Sequence, residues 1–237
     1  MAQAINTNVS ALFATVALNK SNHGLQVAQQ RLSSGLRINS AADDPTGLGI
    51  ASGFESTARG ATAAARSTAD AITLAQTADG YLGQIYDINQ KLREIAVIAG
   101  GTAASAEATA LYAEASRIAG LLAVTNAVVV ASDGTTIATT GTTLAATAGL
   151  TVANFTTNIT NISTARSAYG ADIARFSAAT SLLQTQSVNA WSQYSRVMDT
   201  DYAAESASAA KNNILQQAGM AALAQANQNP QSVLTLL

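Results

Sequence analysis

Residues 74–99, LAQTADGYLGQIYDINQKLREIAVIA, decide the fold. Leu74, Ala78, Tyr81, Ile85, Ile88, Leu92, Ile95 and Ala99 recur at alternating spacings of four and three, which keeps them on one side of an α-helix and marks a heptad seam. Followed backwards, the seam runs through Ala71, Ser67, Ala64 and Gly60, small residues that let a neighbouring helix approach closely. A helix over about Thr46–Ala99 would be about 75–80 Å long at the α-helical rise, longer than a compact domain of this size needs.

A second seam of similar length lies towards the other end, through Ile159, Ile162, Arg166, Tyr169, Ile173, Phe176, Thr180, Leu183, Ser187, Ala190, Tyr194 and Val197. Between the two, Gly100-Gly101 breaks the chain, and a shorter helix is expected over about Ala104–Val124, with Leu111, Ile118 and Leu121 near one side. The expected fold is mainly α: a long antiparallel coiled-coil bundle in which the seams bury one another.

Composition agrees. Of 237 residues only 11% are charged and 5% aromatic, so large rings to fill a globular core are scarce, while 2 Pro and 16 Gly leave most of the backbone free to be helical. A net charge of −2 without a dense basic face offers no source of phosphate neutralisation, so nucleic acid is not an expected partner. Cysteine is absent, which removes disulfides, thiolate metal sites and thiol nucleophiles together. Residues 1–8 carry no Lys or Arg and no secretory apolar region follows, so export, if it occurs, is expected to use another route. No run of 18 apolar residues is present, and membrane insertion is not expected.

Residues 126–158 differ in composition. Val128-Val129-Val130, the turn signal Ser132-Asp133-Gly134 and a high Thr content read as short strands or hairpins, with a disordered Thr/Ala/Gly linker as the alternative. Between two long antiparallel helices, this region would sit at the end of the bundle away from the termini.

The two chain ends resemble each other in composition. Residues 1–30 contain one formal charge, Lys20, and residues 206–237 contain one, Lys211. Thin apolar stripes remain: Ala11, Ala14, Leu18, Ser21, Leu25, Ala28 and Leu32 in the first, and Leu215, Ala218 and Ala222 in the second. A stripe this thin gains little by folding alone, so both ends are expected to order only against partners, with docking on the bundle as the alternative.

No catalytic, cofactor or metal site is expected, and the chain is not expected to be an enzyme. The one His, His23, leaves a triad only one possible base and cannot assemble a His-based metal site, and no metalloprotease, phosphate-loop or dinucleotide motif occurs. Asp43-Asp44-Pro45 reads as a helix start, the carboxylates capping free amides before a proline at the first helical position. Five Asn-x-Ser/Thr matches are expected by chance in so polar a chain.

Both ends carry longer motifs. Met1-Ala2-Gln3-Ala4-Ile5-Asn6-Thr7-Asn8 with Arg31-Leu32-Ser33-Ser34-Gly35-Leu36-Arg37-Ile38-Asn39-Ser40-Ala41-Ala42-Asp43-Asp44 resembles the opening of bacterial flagellins. Ile214-Leu215-Gln216-Gln217-Ala218-Gly219, Leu223-Ala224-Gln225-Ala226-Asn227-Gln228 and Pro230-Gln231-Ser232-Val233-Leu234-Thr235-Leu236-Leu237 resemble their close. The resemblance covers about residues 1–123 and 160–237.

The resemblance implies a structural subunit of the flagellar filament, in a short form lacking most of the variable outer domain. Residues 1–43 plus 198–237 would form an inner core of paired terminal helices, and residues 44–197 a rod-like helical bundle that includes 126–158. Polymerisation would run through Leu18, Leu25, Leu32, Leu215, Ala218 and Leu223, with Gly35, Asp43, Asp44 and Pro45 in the connector between core and rod. Low terminal charge suits stacking of many copies, since like charges would repel along every row. The family further implies export as an unfolded chain without a cleaved signal, an export chaperone, flagellar cap and hook-junction partners, and an extracellular location in the flagellum filament. Gln90, Lys91, Arg93, Ile95 and Glu114 resemble the family's epitope for a host innate immune receptor. Lys91 stands where Arg is usual and lacks its bidentate fork, so weaker receptor binding is expected. Thr125-Asn126-Ala127 stands where the family often has Phe-Asn-Gly.

Two other readings use the same architecture: a hook–filament junction protein and a surface adhesin. The Leu234-Thr235-Leu236-Leu237 ending favours flagellin over the first, and the lack of an aromatic platform in the Thr-rich segment disfavours the second.

Overall fold

A few side chains set each helix end. Asn8 precedes α1 (Val9–Ser34) and accepts the Ala11 amide on its Oδ1 at 3.1 Å. The helix closes at Gly35, whose φ of 72° is left-handed and whose N–H reaches the Arg31 carbonyl. Helix α2 (Pro45–Ile98) starts on proline, with Asp44 Oδ1 accepting the Gly47 amide at 2.8 Å. Gly100 and Gly101, both at positive φ, end it, and the Gly101 N–H returns to the Ala96 carbonyl at 2.8 Å. Ser105 caps α3 (Ala106–Leu121) through the Ala108 amide. Helix α4 spans Val152–Met198, and Asp201 caps α5 (Tyr202–Leu234) through the Ala203 and Ala204 amides.

The computed structural model describes residues 8–103, 105–121, 127–129, 136–138 and 150–234. Within 126–158 two three-residue strands, β1 (Ala127–Val129) and β2 (Thr136–Ala138), pair antiparallel with Ala127 opposite Ala138. A pairing this short does not establish the expected β-hairpin region, and the turn signal at 132–134 lies outside the described residues. Among the described residues no helix is long and apolar enough to cross a membrane.

The chain divides into two compact units, Met1–Phe54 with Ser192–Leu237, and Glu55–Trp191. In the second unit α2, α3 and α4 share a core in which Leu82, Ile85, Ile118, Ile162 and Tyr169 are buried together, with Leu92, Ala108 and Phe155 in a neighbouring cluster. The α2 seam is turned by one residue from the expected one. Leu74 is exposed, Ala99 is exposed, and Tyr81, Ile88 and Ile95 are only half-buried. The buried row is Ala75, Leu82, Asn89 and Ala96, alongside the expected Ala71, Ile85 and Leu92. In α4, likewise, Asn158, Ala165 and Asp172 are buried where Ile159, Arg166 and Ile173 were expected. Ranking positions by apolarity passes over a buried Asn, Asp or Thr, whereas hydrogen bonding lets these residues sit inside.

In the first unit α1 and α5 lie antiparallel. Asn8 Nδ2 donates to the Ala226 carbonyl at 2.8 Å, Gly219 sits against Leu18, Gly24 against Asn212, and Arg31 lies 3.6 Å from Glu205. The expectation that the ends stay unordered without other copies is not what the structure shows: over the described residues both are helical, and the thin stripe of α1 is at least half-buried while Leu215, Ala218 and Ala222 of α5 stay exposed. That cover is slight. Ser21 and Ala28 are the buried residues of α1, and Leu18, Leu25 and Leu32 are half-buried.

Candidate functional site

Helix α1 carries two apolar faces, and among the described residues only one is packed. The heptad row Ala11, Ala14, Leu18, Ser21, Leu25, Ala28 and Leu32 turns towards α5. Val9, Leu12, Phe13 and Val16, spaced three, one and three apart, form a second stripe that is 53%, 57%, 73% and 65% exposed. On α5, Ile214, Leu215 and Met220 are exposed as well. Of the six polymerisation residues named from the sequence, Leu18, Leu25, Leu32 and Leu223 are half-buried, whereas Leu215 and Ala218 are exposed. Sequence reading missed the outer stripe of α1, although its i, i+3, i+4, i+7 spacing was there to be read; the longer inner row drew the assignment.

The connector holds the expected turn residues in one hydrogen-bonded patch. Leu36 bridges to Asp199 in antiparallel fashion, the Arg37 N–H donates to the Met198 carbonyl at 2.6 Å, and the Thr200 N–H donates to the Gly35 carbonyl at 3.0 Å. The Arg37 guanidinium donates to the Val197 carbonyl at 2.8 Å, a cation at the C-terminal end of α4. Asp43 Oδ2 accepts the Asn39 and Ser40 amides and the Ser40 hydroxyl. The Ser40 amide first, then the Asn39 amide, hold its carboxyl below the usual range. Both Asp43 and Asp44 are thus occupied as caps of the turn and the helix. Gly47 is buried where a Cβ would meet the Asp44 carboxylate and the Ile38 side chain. Ile38, Ala51 and Met198 form the small core beneath the connector.

The epitope-like residues divide between surface and core. Lys91 and Arg93 are exposed on α2, Gln90 is half-buried with its Nε2 donating to the Tyr86 hydroxyl at 3.0 Å, and Ile95 packs on the Leu92 cluster. Gln90, Arg93, Glu94, Val97 and Ile98 line a depression of about 470 Å³. Glu114, exposed on α3, takes Arg117 in a two-pronged ion pair at 2.6 and 2.9 Å, and that hydrogen bonding lowers its pKa.

His23 is exposed on α1, and among the described residues no group of three or more His, Cys, Asp or Glu could hold a metal ion. What the chain offers is helical surface. Comparison with known proteins finds the bacterial flagellin N-terminal helical region over residues 5–129 and the bacterial flagellin C-terminal helical region over residues 152–237. Flagellins of Salmonella muenchen and Salmonella dublin and the phase 1 flagellin of Salmonella naestved are each 47% identical over 108 residues, which is 45% of this chain and 21% of theirs. The chain therefore spans about a fifth of the length of these curated relatives in the matched stretch, and what separates its two matched regions is only residues 130–151. With both helical regions of the family matched across most of its length, the chain belongs to the bacterial flagellin family.

Proposed function

We propose that this chain is a structural, non-catalytic subunit of the bacterial flagellar filament, polymerising through its terminal helices into a hollow helical filament used for swimming. The observation that carries the reading is the outer stripe of α1. Four large apolar side chains more than half exposed on one helix face leave a surface whose burial is worth about 1.5–3 kcal/mol per fully covered side chain. A second copy supplies that cover, and heterologous contacts that do not close generate a helix of subunits.

In this reading residues 1–43 plus 198–237 are the inner core and residues 44–197 the rod, with a small β-hairpin region within 126–158. Leu18, Leu25, Leu32 and Leu223 hold α1 to α5, while Leu215 and Ala218 join the outer stripe in contacts between copies. Gly35, Asp43, Asp44 and Pro45 form the connector. The filament is extracellular, and the subunit is exported unfolded with a chaperone and meets cap and hook-junction proteins during assembly. The surface around Gln90, Lys91, Arg93, Ile95 and Glu114 is the place for a host innate immune receptor.

Electron microscopy of the purified full-length chain under precipitating salt tests the central claim. Long helical filaments are expected from the intact protein and none after deletion of residues 206–237. Persistently monomeric intact protein would count against the reading.

A further inference from the structure

Two helices with strict heptad seams can slide past each other by seven residues and still oppose apolar positions, so their register needs another determinant. Both long helices of the second unit have such seams. In α2 the buried row Ala61, Thr68, Ala75, Leu82, Asn89 and Ala96 advances by seven at every step, and in α4 the row Phe155, Ile162, Tyr169, Phe176, Leu183 and Ala190 does the same. Four polar pairs mark the register adopted: Thr62 with Ser187 at 3.1 Å, Thr68 with Thr180 at 2.8 Å, Asp79 with Arg166 at 2.8 Å, and Asn89 with Asn158 at 3.5 Å.

These pairs do not discriminate equally. Thr180 and Ser187 are themselves one heptad apart, so a slide brings Thr68 opposite Ser187, another hydroxyl. The Thr62, Thr68 and Thr180 hydroxyls also reach carbonyls of their own helices, at Ala58, Ala65 and Phe176, and keep these in any register. Arg166 is exposed and Asp79 half-buried with its carboxylate open to solvent, so water replaces either partner at modest cost. Asn89 differs. It is 4% exposed; its Nδ2 donates to the Ile85 carbonyl of its own helix at 2.8 Å, a bond kept in any register, while its Oδ1 depends on register, facing the Nδ2 of buried Asn158 across the seam at 3.5 Å. A slide of seven residues puts Ala165 opposite Asn89 and Ala96 opposite Asn158, setting two buried amides against methyl groups.

We propose that the Asn89–Asn158 pair is the register determinant of the α2–α4 coiled coil, and that the Thr/Ser contacts permit either register. The role is positioning: the pair selects which residues of the two helices share a surface, in a seam whose apolar rows do not.

The chain contains no cysteine, so nitroxide labels at Thr73→Cys and Thr160→Cys, both exposed, report one distance between α2 and α4 by pulsed electron paramagnetic resonance. The labelled parent should give a single narrow distance. In a register-transfer variant, Asn158→Ala with Ala165→Asn, the amides meet again only after a seven-residue slide, and the distance should lengthen by about 10 Å. Replacing both asparagines, Asn89→Leu with Asn158→Leu, should broaden the distribution into more than one register while circular dichroism stays helical. Thr68→Val with Thr180→Val should leave the distance unchanged. An unchanged narrow distance in the leucine pair overturns the proposal, and that variant decides the matter if the transfer variant does not fold.

Discussion

Asn8 holds both ends of the first unit at once: its Oδ1 accepts the Ala11 amide at 3.1 Å and its Nδ2 donates to the Ala226 carbonyl at 2.8 Å, 218 residues away. The same carboxamide caps α1 and ties α5 to it. Asn8→Ala should lower the stability of the helix pair by about 1 kcal/mol through loss of the cap alone, read as a fall in the unfolding midpoint. Asn8→Asp keeps the cap but removes the donor and sets a carboxylate beside the Ala226 carbonyl, so it should recover only part of the loss.

Phe13 is the most exposed of the four outer-stripe residues on α1 at 73%. Phe13→Ser, or the triple change Leu12→Ser, Phe13→Ser and Val16→Ser, should leave the helicity of the isolated chain nearly unchanged and raise the protein concentration needed for polymerisation by tenfold or more. Sedimentation of assembled material measures this, since each 1.4 kcal/mol of lost contact is about a factor of ten. Polymerisation at the parent concentration would show that this face is not an interface.

Gly47 and Gly49 make a matched pair for testing close approach. At Gly47 a Cβ meets the Asp44 carboxylate and Ile38 Cδ1, while at Gly49 it meets nothing within 4 Å. Gly47→Ala should destabilise by about 1–3 kcal/mol through overpacking, and Gly49→Ala should stabilise by up to about 1 kcal/mol through helix propensity. Chemical denaturation of the two variants beside the parent gives both signs.

Asp43 carries a pH dependence of known sign. Its carboxyl is held low by the Ser40 and Asn39 amides and the Ser40 hydroxyl, so its contribution to the connector is present above the ordinary carboxylate pKa of about 4 and is lost as pH falls through the lowered value. Amide exchange at Asn39 and Ser40 should lose protection, corrected for intrinsic rates, as pH falls through that range. Asp43→Ala should lose the protection at every pH, and the parent should then match it only in acid.

Much of the architecture was legible in one dimension. The break at Gly100-Gly101, the start at Asp44-Pro45 and the two long helices all follow from capping and periodicity, which act between residues close in sequence. The seam's phase was not so readable. Leu74 fits the four-and-three pattern and is exposed, while Asn89 of α2 and Asp172 of α4 break it and are buried, because the packing of α2, α3 and α4 together decides which face of each helix is inside. The candidate assembly surface split the same way. Leu18, Leu25 and Leu32, the expected polymerisation residues of α1, are half-buried, while the stripe passing through Phe13 is exposed.

The sequence by itself determined the two long helices, the break between them at Gly100-Gly101, and that both ends carry the marks of the flagellin family, since each depends on local spacing and residue type, whereas the helices of the two ends and of residues 152–158 were not read from it. Tertiary structure alone decided which polar residues of the seams are buried, and that α1 packs along α5 over the described residues. The physical reason is that a heptad fixes a face only to within one residue. The partner helix selects the final phase, through hydrogen bonds such as those of Asn89 and Asn158 that a scale of apolarity does not count.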